Sequence, residues 1–421
     1  MATLNAGLPP KGAPDQTLLD AVSLAALDYF WDFAHPLSGM ARERSAGTFG
    51  YDTDAVVTTG GTGFGIMALL VGAHRAWLPQ DAVAARIARI VGFLSEAERH
   101  WGVFPHFMDG STGETVPFSE TDDGGDLVET AFLAAGLIAA RQALPSLAPR
   151  IDRLLDGIAW TAHLREADQA LLWHRSPNHA WTDKSLPIRG WNECLIVYVL
   201  AAGSRTHPIP PSLYHLCWAG GEEFRNGITR HGVTLPLGPP GGGPMFLSHY
   251  SFLGLDPRGL RDRYADYDEQ TRAHAAMNRA HCVANPHGHA GYGPACWGLT
   301  ASDSPEGYAA HSPENDLGVI SPTAAVASLP YLPDASMAAL RHFIEDRGEA
   351  LWGRFGLADA FNPRTGWVAE ASLAIDQAPM VVMIENHRSQ LIWDLVMAAP
   401  QVQAGLTALG FDSPYLNRTS A

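Results

Sequence analysis

The chain has 421 residues, of which 46% are hydrophobic and only 17% charged, with a formal net charge of -16. A charged share below the usual roughly 25% excludes a disordered or coiled-coil protein and requires a large buried core. The acidic balance, without any Lys/Arg-rich run, excludes nucleic acid and anionic membrane surfaces as partners.

Met1 to Lys11 has no basic n-region and no apolar h-region. The expected compartment is therefore the cytoplasm as written, or the periplasm if a signal has been removed. Residues 1–14, rich in Gly and Pro, are expected to form a flexible tail ahead of a single domain over residues 15–421. Leu19, Val22, Ala26, Phe30 and Phe33 then recur at helical spacing. Further helical windows cover residues 62–77, 83–94, 127–144, 148–164, 192–203, 212–225, 261–279, 323–329, 335–351, 386–399 and 402–409. The longest apolar run, residues 131–140, falls short of the roughly 20 residues that cross a bilayer. Short Pro-containing links such as Leu78-Pro-Gln, Pro145-Ser-Leu and Pro400-Gln make antiparallel neighbours. About twelve helices paired as hairpins predict an all-α (α/α)6 toroid, a double ring with a funnel at one end. No sequence period marks repeats.

Hairpin and loop insertions are expected at the funnel. Residues 104–118 read as a hairpin around Asp109-Gly110. Residues 229–250 are turn-rich, and residues 285–322 form a long loop holding Trp297, Asp303, Tyr308 and His311. The four cysteines, Cys194, Cys217, Cys282 and Cys296, form no Cys-x-x-Cys pair; Cys194 and Cys217 read as core, and a Cys282–Cys296 disulfide stays open.

Chemistry concentrates in Glu120-Thr-Asp-Asp-Gly-Gly-Asp-Leu-Val-Glu129. Asp122, Asp126 and Glu129 stand at i, i+4 and i+7, so a helix places them on one face. Crowded carboxylates raise each other's pKa values, which suits proton chemistry. Asp126 and Glu129 equally fit a helix cap. In Gly190-Trp-Asn-Glu193, an acid beside tryptophan is open to desolvation; Asn192 as N-cap is the alternative. Glu385, in Met383-Ile-Glu-Asn-His-Arg388, reads as catalytic, as hydroxyl-binding or as paired with Arg388. Asp303 reads as a site acid or a turn acid. Trp191, Phe246, Tyr250, Trp297, Tyr308 and Trp367 interleave with these acids and suit sugar rings, although each alone reads as core. Asn285-Pro-His-Gly-His289 is a weak metal candidate, and no His-Glu-x-x-His is present, so no metal is assigned. Gly60-Gly-Thr-Gly-Phe-Gly65 lacks the strand, lysine and ribose acid of a nucleotide loop. No Gly-x-Ser-x-Gly elbow is present.

Taken in order, several stretches resemble the glycoamylase-like family, whose characterised enzymes fall in glycoside hydrolase family 144. They include Phe30-Trp-Asp-Phe-Ala-His-Pro36, Gly102-Val-Phe-Pro-His-Phe107, Asp122-Asp-Gly-Gly-Asp-Leu-Val-Glu-Thr130 and Trp191-Asn-Glu193. Further on stand His249-Tyr-Ser-Phe-Leu-Gly-Leu-Asp-Pro-Arg258, Trp297-Gly-Leu-Thr-Ala-Ser-Asp303 and Ile384-Glu-Asn-His-Arg388. The resemblance implies hydrolysis of β-1,2-glucan to sophorose and short oligosaccharides, with inversion, by a monomer without cofactor. It makes Glu193 the general acid and places the base first within Asp122, Asp126 and Glu129, with Asp303 and Glu385 as reserves. It assigns Phe107, Trp191, Asn192, His249, Tyr250, Trp297, Asp303, Tyr308, Glu385 and Arg388 to the substrate. His387 stands where the family pattern has tyrosine, which leaves endo or exo action open. A retaining transglycosylase and a glucan-binding protein without turnover are the alternatives.

Overall fold

The computed structural model describes residues 4, 6–47, 51–182 and 185–416. Its helices are α1 (Asp15–Trp31), α2 (Thr59–His74), α3 (Gln80–Glu96), α4 (Leu127–Ala143), α5 (Ala148–Asp156), α6 (Leu195–Ala202) and α7 (Tyr267–Ala284). They continue with α8 (Pro322–Ala327), α9 (Pro333–Arg341), α10 (Gly348–Leu351), α11 (Ala374–Arg388), α12 (Leu391–Met397) and α13 (Pro400–Ala408). Two layers follow from their sequences. α2, α4, α6, α8 and α11 are buried on nearly every side, as expected of largely apolar helices, although α11 also buries Asp376, Gln377, Glu385 and Asn386. α3 buries only the stripe Val83, Ile87, Ile90, Val91 and Leu94, and α5 only Ile151 and Leu154, so these belong to the outer layer. α2 packs against α4 and α11, α1 against α11, α8 against α11 and α6 against α13. This is the (α/α)6 arrangement.

The inner helices approach closely where side chains vanish. A Cβ on Gly63 would lie 2.2 Å from the Phe132 carbonyl, and one on Gly136 would lie 2.1 Å from the Gly63 carbonyl. The glycines of residues 60–65 thus serve helix packing inside α2.

Short strands decorate one end. β1 (Val56–Thr58), β2 (Phe107–Asp109) and β3 (Thr115–Val116) form an antiparallel sheet in that order, with Phe107 opposite Val116. The hairpin expected over residues 104–118 is therefore present. β4 (Gly125–Asp126) pairs with His174–Arg175. Residues 285–322, expected as a bare loop, contain a hairpin of Ala301–Ser304 with Gly307–Ala310.

Other expectations are corrected. α11 breaks the window at 386–399: Gln390, at φ 67, separates it from α12. The window at 212–225 shrinks to the π-helical turn Tyr214–Trp218. α7 starts later than predicted because Asp266 caps it, accepting from the amides of Asp268 and Glu269. All four cysteines are buried free thiols. Within the expected tail, Leu4 and Ala13 are buried, Gly12 N donates to Glu345, and Lys11 pairs with Asp346. Among the described residues, no single helix is long and apolar enough to cross a membrane.

Candidate active site

At the end carrying β1 to β3, the amino termini of α2, α4 and α11 and the turn before α6 surround a cavity of about 670 Å³. Its wall includes Glu129, Glu193, His106, Arg44 and Glu43. Aromatic side chains supply much of the remainder: Tyr51, Phe107, Phe118, Phe132, Trp173, Phe246, Tyr250 and Tyr308.

Asp126 is the N-cap of α4. Its Oδ1 accepts from the amides of Val128 and Glu129, both at 2.9 Å. Its Oδ2 lies 2.9 Å from His106 Nδ1, and Asp122 Oδ2 lies 3.4 Å from the same nitrogen. The two readings of this motif are thus both realised: Asp126 caps the helix and belongs to an acid cluster. The shared helix face is not realised, because Asp122 and Asp126 precede the first turn. A histidine gathers them instead. Burial opposes a charge on His106, yet the charges of Glu129, Asp122 and Asp126 push its pKa well above the ordinary value. The imidazolium stacks on Phe118 at 4.2 Å. Burial raises the Asp122 pKa, and the neighbouring Asp126 charge adds to it.

Glu129 Oε2 accepts from Gly60 N at 2.7 Å. A Cβ at position 60 would sit 2.5 Å from that oxygen, so glycine is what lets the backbone reach the carboxylate. Burial pushes Glu129 up to about 7 against the opposing His106 charge. Glu193 sits two residues before α6, where Ser251 donates its hydroxyl to the Glu193 carbonyl. Asn192 Oδ1 accepts from Cys194 N at 3.1 Å in the turn before the helix, but the N-cap is Cys194, not Asn192 as the alternative reading had it. Burial also pushes Glu193 up to about 7, aided by the charges of Glu129 and Asp126. Two glutamates half-protonated near neutrality therefore face one cavity.

Across the cavity, Arg44 donates to Glu43 at 2.7 Å and to both oxygens of Asp303 at 3.2 Å, and Tyr51 donates to Glu43 at 2.7 Å. Asp303 N donates to Asp359 Oδ2 at 3.1 Å. Asp359 hydrogen-bonds Asp376, and burial raises both, Asp359 to about 7.

Of the residues expected at the site, Glu129, Glu193, Phe107, Tyr250 and Tyr308 line the cavity. Asp122 and Asp126 stand behind His106, and Asp303 behind Arg44. Trp191 packs among Trp218, Phe252 and Tyr267, and Trp297 is fully buried; both are core. His249 is buried against Ser328 and Tyr331, and burial holds its pKa down at about 3. Glu385 and Arg388 lie at the opposite end of α11 from the cavity-lining Ile375. Glu385 accepts two hydrogen bonds from Arg75, at 2.6 and 3.1 Å, and Arg388 pairs with Asp20 at 2.8 Å. The local Glu385–Arg388 pair is therefore replaced by two distant ones. Sequence reasoning missed His106, Glu43, Arg44, Tyr51, Trp173, Asp359 and Asp376. Only His106 had a signal, its place in Val-Phe-Pro-His-Phe.

A second cavity of about 660 Å³ lies between residues 8–11, 344–351 and 361–368. Its acids are ion-paired or exposed: Asp346, half-exposed, pairs with Lys11, and the partly buried Glu345 with Arg341. Among the described residues no fully buried carboxylate faces it, which sets it apart from the cavity of Glu129 and Glu193.

The Glycoamylase family model matches residues 185–400. The chain is 46% identical to an endo-β-1,2-glucanase from Chitinophaga pinensis whose structure holds sophorotriose and glucose. That match covers 96% of this chain and 100% of that one, with a TM-score of 0.93. It is 40% identical to an exo β-1,2-glucooligosaccharide sophorohydrolase (non-reducing end) from Parabacteroides distasonis, over 93% of this chain and 57% of that protein. The chain thus spans little more than half the length of that curated relative. An endo-β-1,2-glucanase from Talaromyces funiculosus is 14% identical, with a TM-score of 0.66 over 90% of this chain and 85% of that one, a likeness of fold alone.

Proposed function

Because the chain belongs to the glycoamylase-like family, we propose that it hydrolyses β-1,2-linked glucan, with Glu193 as general acid and Glu129 as base. The observation that carries this reading is the pair of buried glutamates, each near 7, on one aromatic-lined wall. A carboxylic acid still partly protonated at neutral pH can donate its proton to the departing glycosidic oxygen. Glu129, with the His106 cation nearby, accepts a proton from water as the water attacks the anomeric carbon. One water is consumed and two reducing-end-competent fragments leave. Within the acid cluster Glu129 is preferred because it lines the cavity, whereas Asp122 and Asp126 hold His106.

Phe246 and Tyr250, stacked at 5.2 Å, and Tyr308 give the apolar faces of glucose units a surface. Both a chain-internal and a chain-end mode are represented among the relatives, and the product profile from linear β-1,2-glucan decides between them. Mixed oligosaccharides from the first minutes mean endo action; sophorose alone means exo action. Absence of any product from this glucan overturns the proposal. The anomer released, read by proton NMR, separates inversion from retention, for which the acids stand roughly 6.5–9.5 Å or 5–5.5 Å apart respectively.

A further inference from the structure

We propose a divalent-metal site at the carboxyl end of α7, formed by His281, His287, His289 and Asp316 and suited to Zn²⁺. Ligand atoms of His281, His287 and Asp316 lie within 4.8 Å of one another. His281 Nε2 is 2.8 Å from Asp316 Oδ2, and His289 Nε2 is 3.3 Å from Asp316 Oδ1. A tetrahedral zinc with bonds of about 2.0–2.1 Å spaces its ligand atoms about 3.3 Å apart. The His289–Asp316 distance already matches that spacing, and the 2.8 Å hydrogen bond from His281 to the other carboxylate oxygen would have to open by about 0.5 Å. The exposed side chain of His287 supplies the remaining travel, its ring standing 6.0 Å from that of His281 and 5.8 Å from that of His289.

Three features give this cluster the look of a built site. His289 Nε2 is buried and, apart from its 3.3 Å approach to Asp316 Oδ1, makes no hydrogen bond of good geometry among the described residues, an incomplete pairing that a metal would complete. The loop bearing the two histidines is clipped by Asn285, the left-handed C-cap of α7. Its Oδ1 accepts from His289 N at 2.7 Å and its Nδ2 donates to the His289 carbonyl at 2.8 Å. The Asp316 carboxylate is oriented in turn by Tyr292 Oη at 2.7 Å and Gly318 N at 3.1 Å, the kind of support that metal-binding carboxylates carry. Imidazole donors with one carboxylate select Zn²⁺ over Mg²⁺ or Ca²⁺.

The other donor cluster, His106 with Asp122 and Asp126, differs. There the imidazole Nδ1 is held by two carboxylates as a cation and has no lone pair to offer. None of the four proposed ligands lines the glutamate cavity. The metal would instead tie α7 to residues 285–318. That segment carries the hairpin presenting Ala301, Tyr308 and Ala310 to the cavity, so its role would be to hold that wall.

The test is titration of EDTA-stripped protein with Zn²⁺ alone, followed by calorimetry and thermal unfolding. One site per chain and a raised Tm are expected. His287→Ala, a surface change, should leave the metal-free Tm unaltered and weaken Zn²⁺ binding about 10- to 100-fold; His289→Ala should weaken it likewise. His106→Ala should leave Zn²⁺ affinity unchanged. Failure to bind Zn²⁺ tighter than about 1 mM, or an affinity that His287→Ala does not alter, overturns the site.

Discussion

Replacing Glu193 by glutamine separates two consequences of one buried acid. Burial moves Glu193 from an ordinary 4.5 to about 7. That displacement corresponds to about 3 kcal/mol of disfavoured ionisation, an upper value because water in the cavity screens it. The native state holds a proton that the unfolded chain has already lost between pH 4.5 and 7. Raising the pH through that window therefore lowers stability, and the loss is complete above about 7. Glutamine has no proton to lose and nearly the same shape. Wild type and Glu193→Gln should thus match at pH 4.5, and the variant should be the more stable by up to about 3 kcal/mol at pH 8. With an unfolding entropy of about 2.1 cal/mol/K per residue, that is a Tm gain of about 3 °C for a chain of 421 residues.

Calorimetry of both proteins from pH 4.5 to 8, with reducing-sugar release from β-1,2-glucan at each pH, reads both effects. Turnover should drop about a thousandfold while the fold gains stability. If the two Tm curves run parallel across the window, Glu193 titrates as an ordinary carboxylate and the reasoning fails. If turnover stays near wild type, the acid is elsewhere.

Gly60→Ala puts a methyl 2.5 Å from Glu129 Oε2 and 3.0 Å from Phe132. It should cost about 1–3 kcal/mol and lower kcat through displacement of Glu129, with urea unfolding and initial rates as the readouts. His106→Ala leaves Asp122 and Asp126 adjacent without their cation. Destabilisation of about 3 kcal/mol or more at pH 7 is expected, shrinking towards pH 4 as Asp122, whose pKa burial raises, protonates; equal losses at both pH values would contradict the pairing. Glu385→Gln weakens the pair with Arg75 and should lower Tm by a few degrees, yet leave kcat unchanged. A kcat loss would return Glu385 to the site.

The helical periodicity exposed most of the rings because a helix buried on one stripe or all round writes that into its own residues. α11 escaped because it does not: Asp376, Gln377 and Pro379 interrupt its first turns, and all three are buried. They are tolerated there because Asp376 meets Asp359 across the fold, a contact no local pattern announces. Glu385 misled for the same reason. Glu-Asn-His-Arg invites a pair at i and i+3, but the arginine that binds Glu385 is Arg75, 310 residues away. Trp191 and Trp297 show the limit of reading aromatics as sugar platforms, since their neighbours decide and these are apolar. The acid motif before α4 was legible because cap and cluster use the same residues.

The number of acids at this end is itself a weak argument for catalysis, because six of them stand in pairs whose charge is partly compensated. Glu43 and Asp303 share Arg44, Asp122 and Asp126 share His106, and burial together with mutual repulsion raises the pKa values of Asp359 and Asp376 toward the neutral acid. Each arrangement removes a net charge that low dielectric would otherwise punish. Glu129 and Glu193 are what remains: both line the cavity, and neither has an ion pair among the described residues. Burial outweighs the Gly60 amide and the His106 charge at Glu129 and acts on Glu193 too, so both are pushed toward the protonated form, and a neutral glycan entering the cavity deepens that burial by displacing water. Substrate binding should therefore raise both values further, so the acid limb of kcat should lie at higher pH than that of kcat/KM. Coincident limbs would mean that the glycan leaves these two carboxylates solvated.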